Sequence, residues 1–157
     1  MRPAEELRYL ILAAQREGNR LLAQALRPLG ITPSQAEVIR ILRDRRSLTL
    51  NGLGDLLVCE SGNSPSRLVD RLTSVGLVDR QPSAHDRRHI ELSLTEEGQR
   101  LAQQIIEIED DLYRSIDAAA EGHDLTAVTA FLRTFVTGRP AGKALARRIA
   151  AEQGTPP

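Results

Sequence analysis

The sequence predicts a mostly α fold with a small β-hairpin. Three observations carry that expectation. Three short helical segments follow one another closely between Thr32 and Val75 with separate cap signals. The run His89 to Leu94 alternates Ile90, Leu92 and Leu94 with His89, Glu91 and Ser93, which is the period of a half-buried strand. Finally, long apolar stripes at helical spacing occupy both ends of the chain.

The first helix spans Pro3 to Arg27, with Leu7, Leu10, Ile11, Ala14, Leu21, Leu22, Ala25 and Leu26 at helical spacing and Pro28 with Gly30 as its stop. Gly18 interrupts the stripe, which predicts a bend or a close contact there, and a helix of this kind calls for a partner surface such as a second copy of the chain. At the second start signal Thr32 caps, Pro33 suits the first helical position and Gln35 completes a capping box. This helix runs to about Asp44, with Ala36, Val38, Ile39 and Leu42 inward and Arg40 and Arg43 outside. Ser47 to Thr49 suits a brief strand, after which Thr49 or Asn51 caps a short helix directing Leu53, Leu56 and Leu57 inward. Ser64 and Pro65 open the fourth helix, whose Leu68, Val69, Leu72 and Val75 form one face and Ser64, Arg67, Arg71 and Ser74 the other. Gly76 caps its end, an extended segment starts at Leu77, and a polar loop from Pro82 to Arg88 leads into the alternating strand. Thr95 opens a long helix through Leu101, Ile105, Ile108, Leu112 and Ile116; a sixth begins near Asp124 with Leu125, Val128, Phe131, Leu132 and Phe135 on one face. Gly138 to Pro140 stops it, a terminal helix from Ala141 to Glu152 follows, and the last four residues fray.

At 157 residues the chain suits a single domain with extensions, spanning 1–157. Its formal net charge of zero announces no polyanion partner globally, yet arginines at 40, 43, 45, 46, 67, 71, 80, 87 and 88 precede an acidic cluster at 96, 97, 107 and 109–111. Aromatics at 3% with no Trp argue against a base-stacking reader of single strands. Cys59 is the only cysteine, so no intrachain disulfide forms, and with no signal peptide or apolar span the expected location is cytoplasmic and away from membranes. No phosphate loop with Lys, nucleophile elbow or paired metal motif is present, so no enzyme activity and no cofactor are expected. His85, Asp86 and His89 lie close in sequence, but a structural zinc site needs four ligands, and no metal is expected.

A tandem helix pair followed by an arginine-tipped hairpin resembles the winged helix-turn-helix, in the form found in the MarR family of bacterial transcription regulators. The residues that carry the resemblance are 66–72 (Ser-Arg-Leu-Val-Asp-Arg-Leu), 76–80 (Gly-Leu-Val-Asp-Arg), Asp86-Arg87-Arg88, Leu92-Ser93-Leu94-Thr95 and Gly98. It covers Leu7 to Phe135 in order of elements, with its sharp motif confined to residues 66 to 98. The resemblance implies a winged-helix DNA-binding lobe at about 32–98 and a helical dimerisation region at about 3–27 and 96–152. It implies a homodimer on a pseudo-palindromic double-stranded operator, with the fourth helix in a major groove and the wing in a minor groove. Ser64, Ser66, Arg67, Arg71, Arg87 and Arg88 become the DNA-binding candidates, Arg88 as the minor-groove arginine, and Asp86 the residue that braces the wing tip. The family also implies repression relieved by a small phenolic or lipophilic effector, whose binding residues the sequence does not single out. Some members sense oxidants through a cysteine in the first helix; this chain has none there.

Each assignment has a plainer counterpart. Arg67 and Arg71 also suit a solvated helix face, with Asp70 available to pair with Arg67, and Arg87 and Arg88 suit a charged hairpin tip. Cys59 reads as a small buried hydrophobe, with a thiol redox switch as the alternative. At the level of the whole chain, the competing class is a winged-helix module for protein interaction without DNA.

Overall fold

The computed structural model describes residues 1–58 and 64–152. Cys59, and with it both readings of that thiol, lies outside the described residues. The elements in order are α1 (Pro3–Leu26), a 3-10 turn (Arg27–Leu29), α2 (Pro33–Arg45), β1 (Leu48–Thr49), α3 (Leu50–Gly54), α4 (Pro65–Ser74), β2 (Val78–Pro82), β3 (Ile90–Leu94), α5 (Glu96–Ala119), α6 (Leu125–Val136) and α7 (Pro140–Glu152). None of these helices is long and apolar enough to cross a membrane.

Local chemistry accounts for the starts. Thr32 Oγ1 accepts from Gln35 N while Gln35 Oε1 accepts from Thr32 N, closing the capping box. Thr49, Ser64, Thr95 and Asp124 each accept from the backbone N–H three residues on. Gly76 ends α4 with φ +75, a conformation in which its N–H reaches Thr73 O and Leu77 N–H reaches Leu72 O. The three strands form an antiparallel sheet in the order β1-β3-β2, with Leu48 opposite Leu92 and Val78 opposite Leu94.

One core lies under this sheet, where Leu26, Val38, Ile39, Leu42, Leu53, Val69, Leu72, Val78, Leu92 and Ile105 are closed from solvent. Burying side chains of this kind stabilises by roughly 1.5–3 kcal/mol each relative to exposure. The core belongs to the middle of the chain. Of α1 only Leu26 is buried, α6 buries nothing, and Leu125, Val128, Phe131 and Phe135 are 41–55% exposed.

Several expectations need correction. Val75 is 64% exposed, since α4 ends at Ser74 and Val75 no longer follows the helical face. Ile90 is 47% exposed, paired with Pro82 at the end of the hairpin nearest its tip. α3 stops at Gly54, so Leu56 reaches the core from the turn after it. Gly18 makes no close contact within the chain and α1 continues through it. Arg40 and Arg43 are not simply solvated: Arg40 pairs with Glu109 and Arg43 donates to Gln103, so the acidic helix consumes part of the basic cluster.

Candidate nucleic-acid interface

α4 is ten residues long, and its burial is one-sided because Leu68, Val69 and Leu72 recur at helical spacing. Seating that stripe in the core turns Ser64, Ser66, Arg67, Asp70, Arg71 and Ser74 to solvent. Arg67 and Arg71, one turn apart, border a shallow groove shared with Thr32 and Gln35 at the start of α2. Two cations on a rod of helix width fit a major groove, which admits one helix and offers paired acceptors on guanine.

Asp70, between them on the same face, does not pair with Arg67. Its carboxylate Oδ1 accepts from Arg80 Nη2 on β2. The pair ties the exposed face of α4 to the first strand of the hairpin and removes a negative charge from between the two arginines.

Residues 86 to 89 form the hairpin tip as a β-turn in which His89 N–H donates to Asp86 O at 2.9 Å. Asp86 Oδ1 accepts from Arg88 N at 3.0 Å and from Arg88 Nε at 3.3 Å, and Asp86 Oδ2 lies 3.2 Å from His89 Nδ1. An Asp at the first turn position satisfies the backbone in this way, so the turn rests on one carboxylate. Arg87 and Arg88 occupy its two central positions and project outward, Arg88 with 90% of its side chain exposed. Asp86 and His89 thus serve the turn, and among the described residues no group of three or more metal-ligating side chains is placed to hold an ion.

The base of the tip holds a support that period and spacing did not reveal. Ser83, buried beneath the loop, donates to Glu91 Oε1 at 2.6 Å and accepts from His85 N–H at 3.2 Å, while Ser47 beside β1 donates to Glu91 Oε2 at 3.1 Å. The Ser83 bond, then the Ser47 bond, hold the Glu91 carboxyl below the usual glutamate value of 4.5. With the folded value depressed, the stabilisation is fully present above the unfolded value and is lost as pH falls through the folded one. Amide exchange at Ser83 and His85 is therefore expected to accelerate below about pH 4.5 beyond the intrinsic trend. In Glu91→Gln that pH-dependent step should vanish; its persistence would assign the step to another group.

The described candidates fall into two sets. Ser64, Ser66, Arg67 and Arg71 share α4, Arg87 and Arg88 share the turn, and Asp70 with Arg80 connects the two. A signal for the Arg80 contact was present in the sequence only as an arginine on a strand.

A family model described as a winged helix DNA-binding domain matches residues 31–98. The chain is 30% identical over 108 residues to the organic hydroperoxide resistance transcriptional regulator of Bacillus subtilis, covering 69% of this chain and 73% of that one. It is 33% identical over 95 residues to the multiple antibiotic resistance protein MarR of Escherichia coli, covering 60% of this chain and 65% of that protein. Among solved structures, a mutant MarR from E. coli complexed with operator DNA is similar with a TM-score of 0.70 and 28% identity, over 84% of this chain and 94% of that one.

Proposed function

Because the chain belongs to the MarR family of winged-helix transcriptional regulators, we propose that it binds a pseudo-palindromic operator as a homodimer and represses until a small effector releases it. The observation that carries this reading is the pairing of two arginine-bearing elements on one lobe: α4 with Arg67 and Arg71, and a turn that lifts Arg87 and Arg88 away from the fold. α4 enters a major groove, where Arg67 and Arg71 read base edges and Ser64 and Ser66 take phosphate. The wing lays Arg88 in the adjacent minor groove, Arg87 stays on the backbone, and Asp86 braces the turn between them.

Division of labour follows the burial pattern. Residues at about 32–98 form the reading lobe, and α1, α5 and α6 form the dimer. The apolar faces of α1 and α6 are left open in one chain, as a surface awaiting its copy must be. The protein works beside the chromosome in the cytoplasm and catalyses nothing.

The effector sits between the lobe and the helical region. A cavity there is lined by Gln15, Asp55, Leu57, Val58, Arg139, Lys143 and Arg147, with an apolar wall and three cations, one of which, Arg147, lies 3.5 Å from the Asp55 carboxylate. Such a lining suits a small aromatic acid better than a neutral lipid.

Selection of bound duplexes from a random pool, followed by a salt titration, tests the reading. Affinity should fall with salt at a log-log slope near −0.9 per phosphate neutralised, and aromatic acids should release the bound duplex. No selected duplex at low salt would leave the protein-interaction module as the better account.

A further inference from the structure

The polar side of α2 is held by two elements from outside the reading lobe. Glu37 points out of α2 and is only 9% exposed. A single carboxylate oxygen, Oε1, accepts from Arg148 Nη1 of α7 at 2.7 Å and from Val58 N–H at 2.9 Å. Val58 precedes the α4 cap Ser64 by six residues, so one atom joins the lobe's central helix, the approach to the reading helix, and α7.

The neighbouring contacts point the same way. Arg45 Nη2 donates to Arg147 O at 3.3 Å, and Arg147 Nη1 donates to Asp55 O at 3.4 Å just after α3. On the α5 side Arg40 Nε lies 3.0 Å from Glu109 Oε2, with 24% and 13% of those side chains exposed. A charge buried to this degree cannot drop its partner without leaving an unmet desolvation cost, so such pairs switch between discrete states and do not slide.

We propose that Arg148, acting through Glu37, is a positioning residue that sets the angle at which the lobe presents α4 to DNA. The inference rests on the operator-binding reading above. In a dimer the half-sites lie about one helical turn, roughly 34 Å, apart, so a joint between lobe and dimer region sets the spacing that both copies of α4 can span. Arg148 touches no DNA in this arrangement.

The test uses the full chain and a pair of substitutions that removes both charges of the Glu37–Arg148 contact together. Glu37→Gln with Arg148→Met keeps an acceptor for Val58 N–H and removes both charges; Arg148→Lys is the conservative control. Spin labels are placed on the wing and at the α5–α6 turn through Arg87→Cys and Glu121→Cys in a Cys59→Ser background, with labelled chain diluted into unlabelled chain. The parent should give a narrow distance distribution, the paired variant a broad one, and Arg148→Lys a narrow one. Selected duplexes are then lengthened or shortened by one base pair between half-sites: the parent should lose about tenfold in affinity, the paired variant less than about threefold, at an unchanged salt slope.

A parent-like distance distribution in the paired variant, at matched melting temperature, overturns the proposal. So does an unchanged spacing penalty despite a broadened distribution. If the parent binds no duplex, the regulator reading fails on its own, and the label distances still decide whether Arg148 positions the lobe.

Discussion

Arg88→Ala is expected to weaken operator binding by about 1–3 kcal/mol per wing, roughly a tenfold loss for each 1.4 kcal/mol, with both wings of a dimer affected. Arg88 stands on a turn stabilised by Asp86 through the backbone N–H of Arg88 as well as its side chain. Truncating the arginine therefore removes the reaching charge and leaves the 3.0 Å backbone bond of the turn in place. The loss should be greatest where the flanks are AT-rich, because a narrow minor groove concentrates negative potential on an inserted arginine. Arg67→Ala should behave differently, reducing discrimination among major-groove bases while leaving the flank dependence intact. Equilibrium titrations on duplexes with AT-rich and GC-rich flanks, and with single substitutions under α4, separate the two roles. If both variants bind every duplex as the parent does while retaining its melting temperature, the assignment of Arg67 and Arg88 to DNA is wrong.

Gly98→Ala is expected to be among the most damaging single-methyl changes in the chain. A Cβ at residue 98 would lie 2.1 Å from Leu77 O and 3.2 Å from Leu77 C, with Leu94 Cβ at 3.3 Å on its other side. The two nearest obstructing atoms are backbone, and Leu77 O already accepts the Thr95 N–H, so α5 would have to lift from Leu77, just before β2, and lose its own start. Overpacking costs about 1–3 kcal/mol or somewhat more, against a gain of up to about 1 kcal/mol from helix propensity. The clash wins, and the melting temperature should fall by several degrees, at about 2–4 °C per kcal/mol for a chain of this size. Gly18→Ala supplies the contrast: within the chain its Cβ meets nothing inside 4 Å, so the propensity gain stands and the melting temperature should not fall. Equal melting of Gly98→Ala and parent would show that the α5–β2 approach is looser than described.

Much of the fold was legible from short-range chemistry. The Thr32–Gln35 box, the Ser64 and Thr95 caps, Gly76 and the alternation around Leu92 all act within a few residues, so residue order alone carries them. Expectation failed where an element ended. Val75 and Ile90 fit their periods on paper, but a period does not say where burial ends, and both are exposed. The candidate site shows the same split: that Arg67 and Arg71 share a face follows from spacing, whereas the Ser83–Glu91–Ser47 support depends on β1 pairing with β3.

The sequence by itself determined which segments become helix and strand, which face of α4 is polar, and that two arginines occupy the wing tip, because caps, periods and turn residues act on their own neighbours. Only the tertiary structure decided which charges remain free for DNA. Arg40 faces Glu109, Arg80 faces Asp70, and Arg148 meets Glu37 across 111 residues of chain, whereas Arg88 pairs within its own turn, with Asp86, and keeps its side chain 90% exposed. The reason is physical where a charge is drawn out of water, as at Glu37 and Glu109: it must find a partner, and the partner is whatever packing brings within about 3 Å, at any distance along the chain.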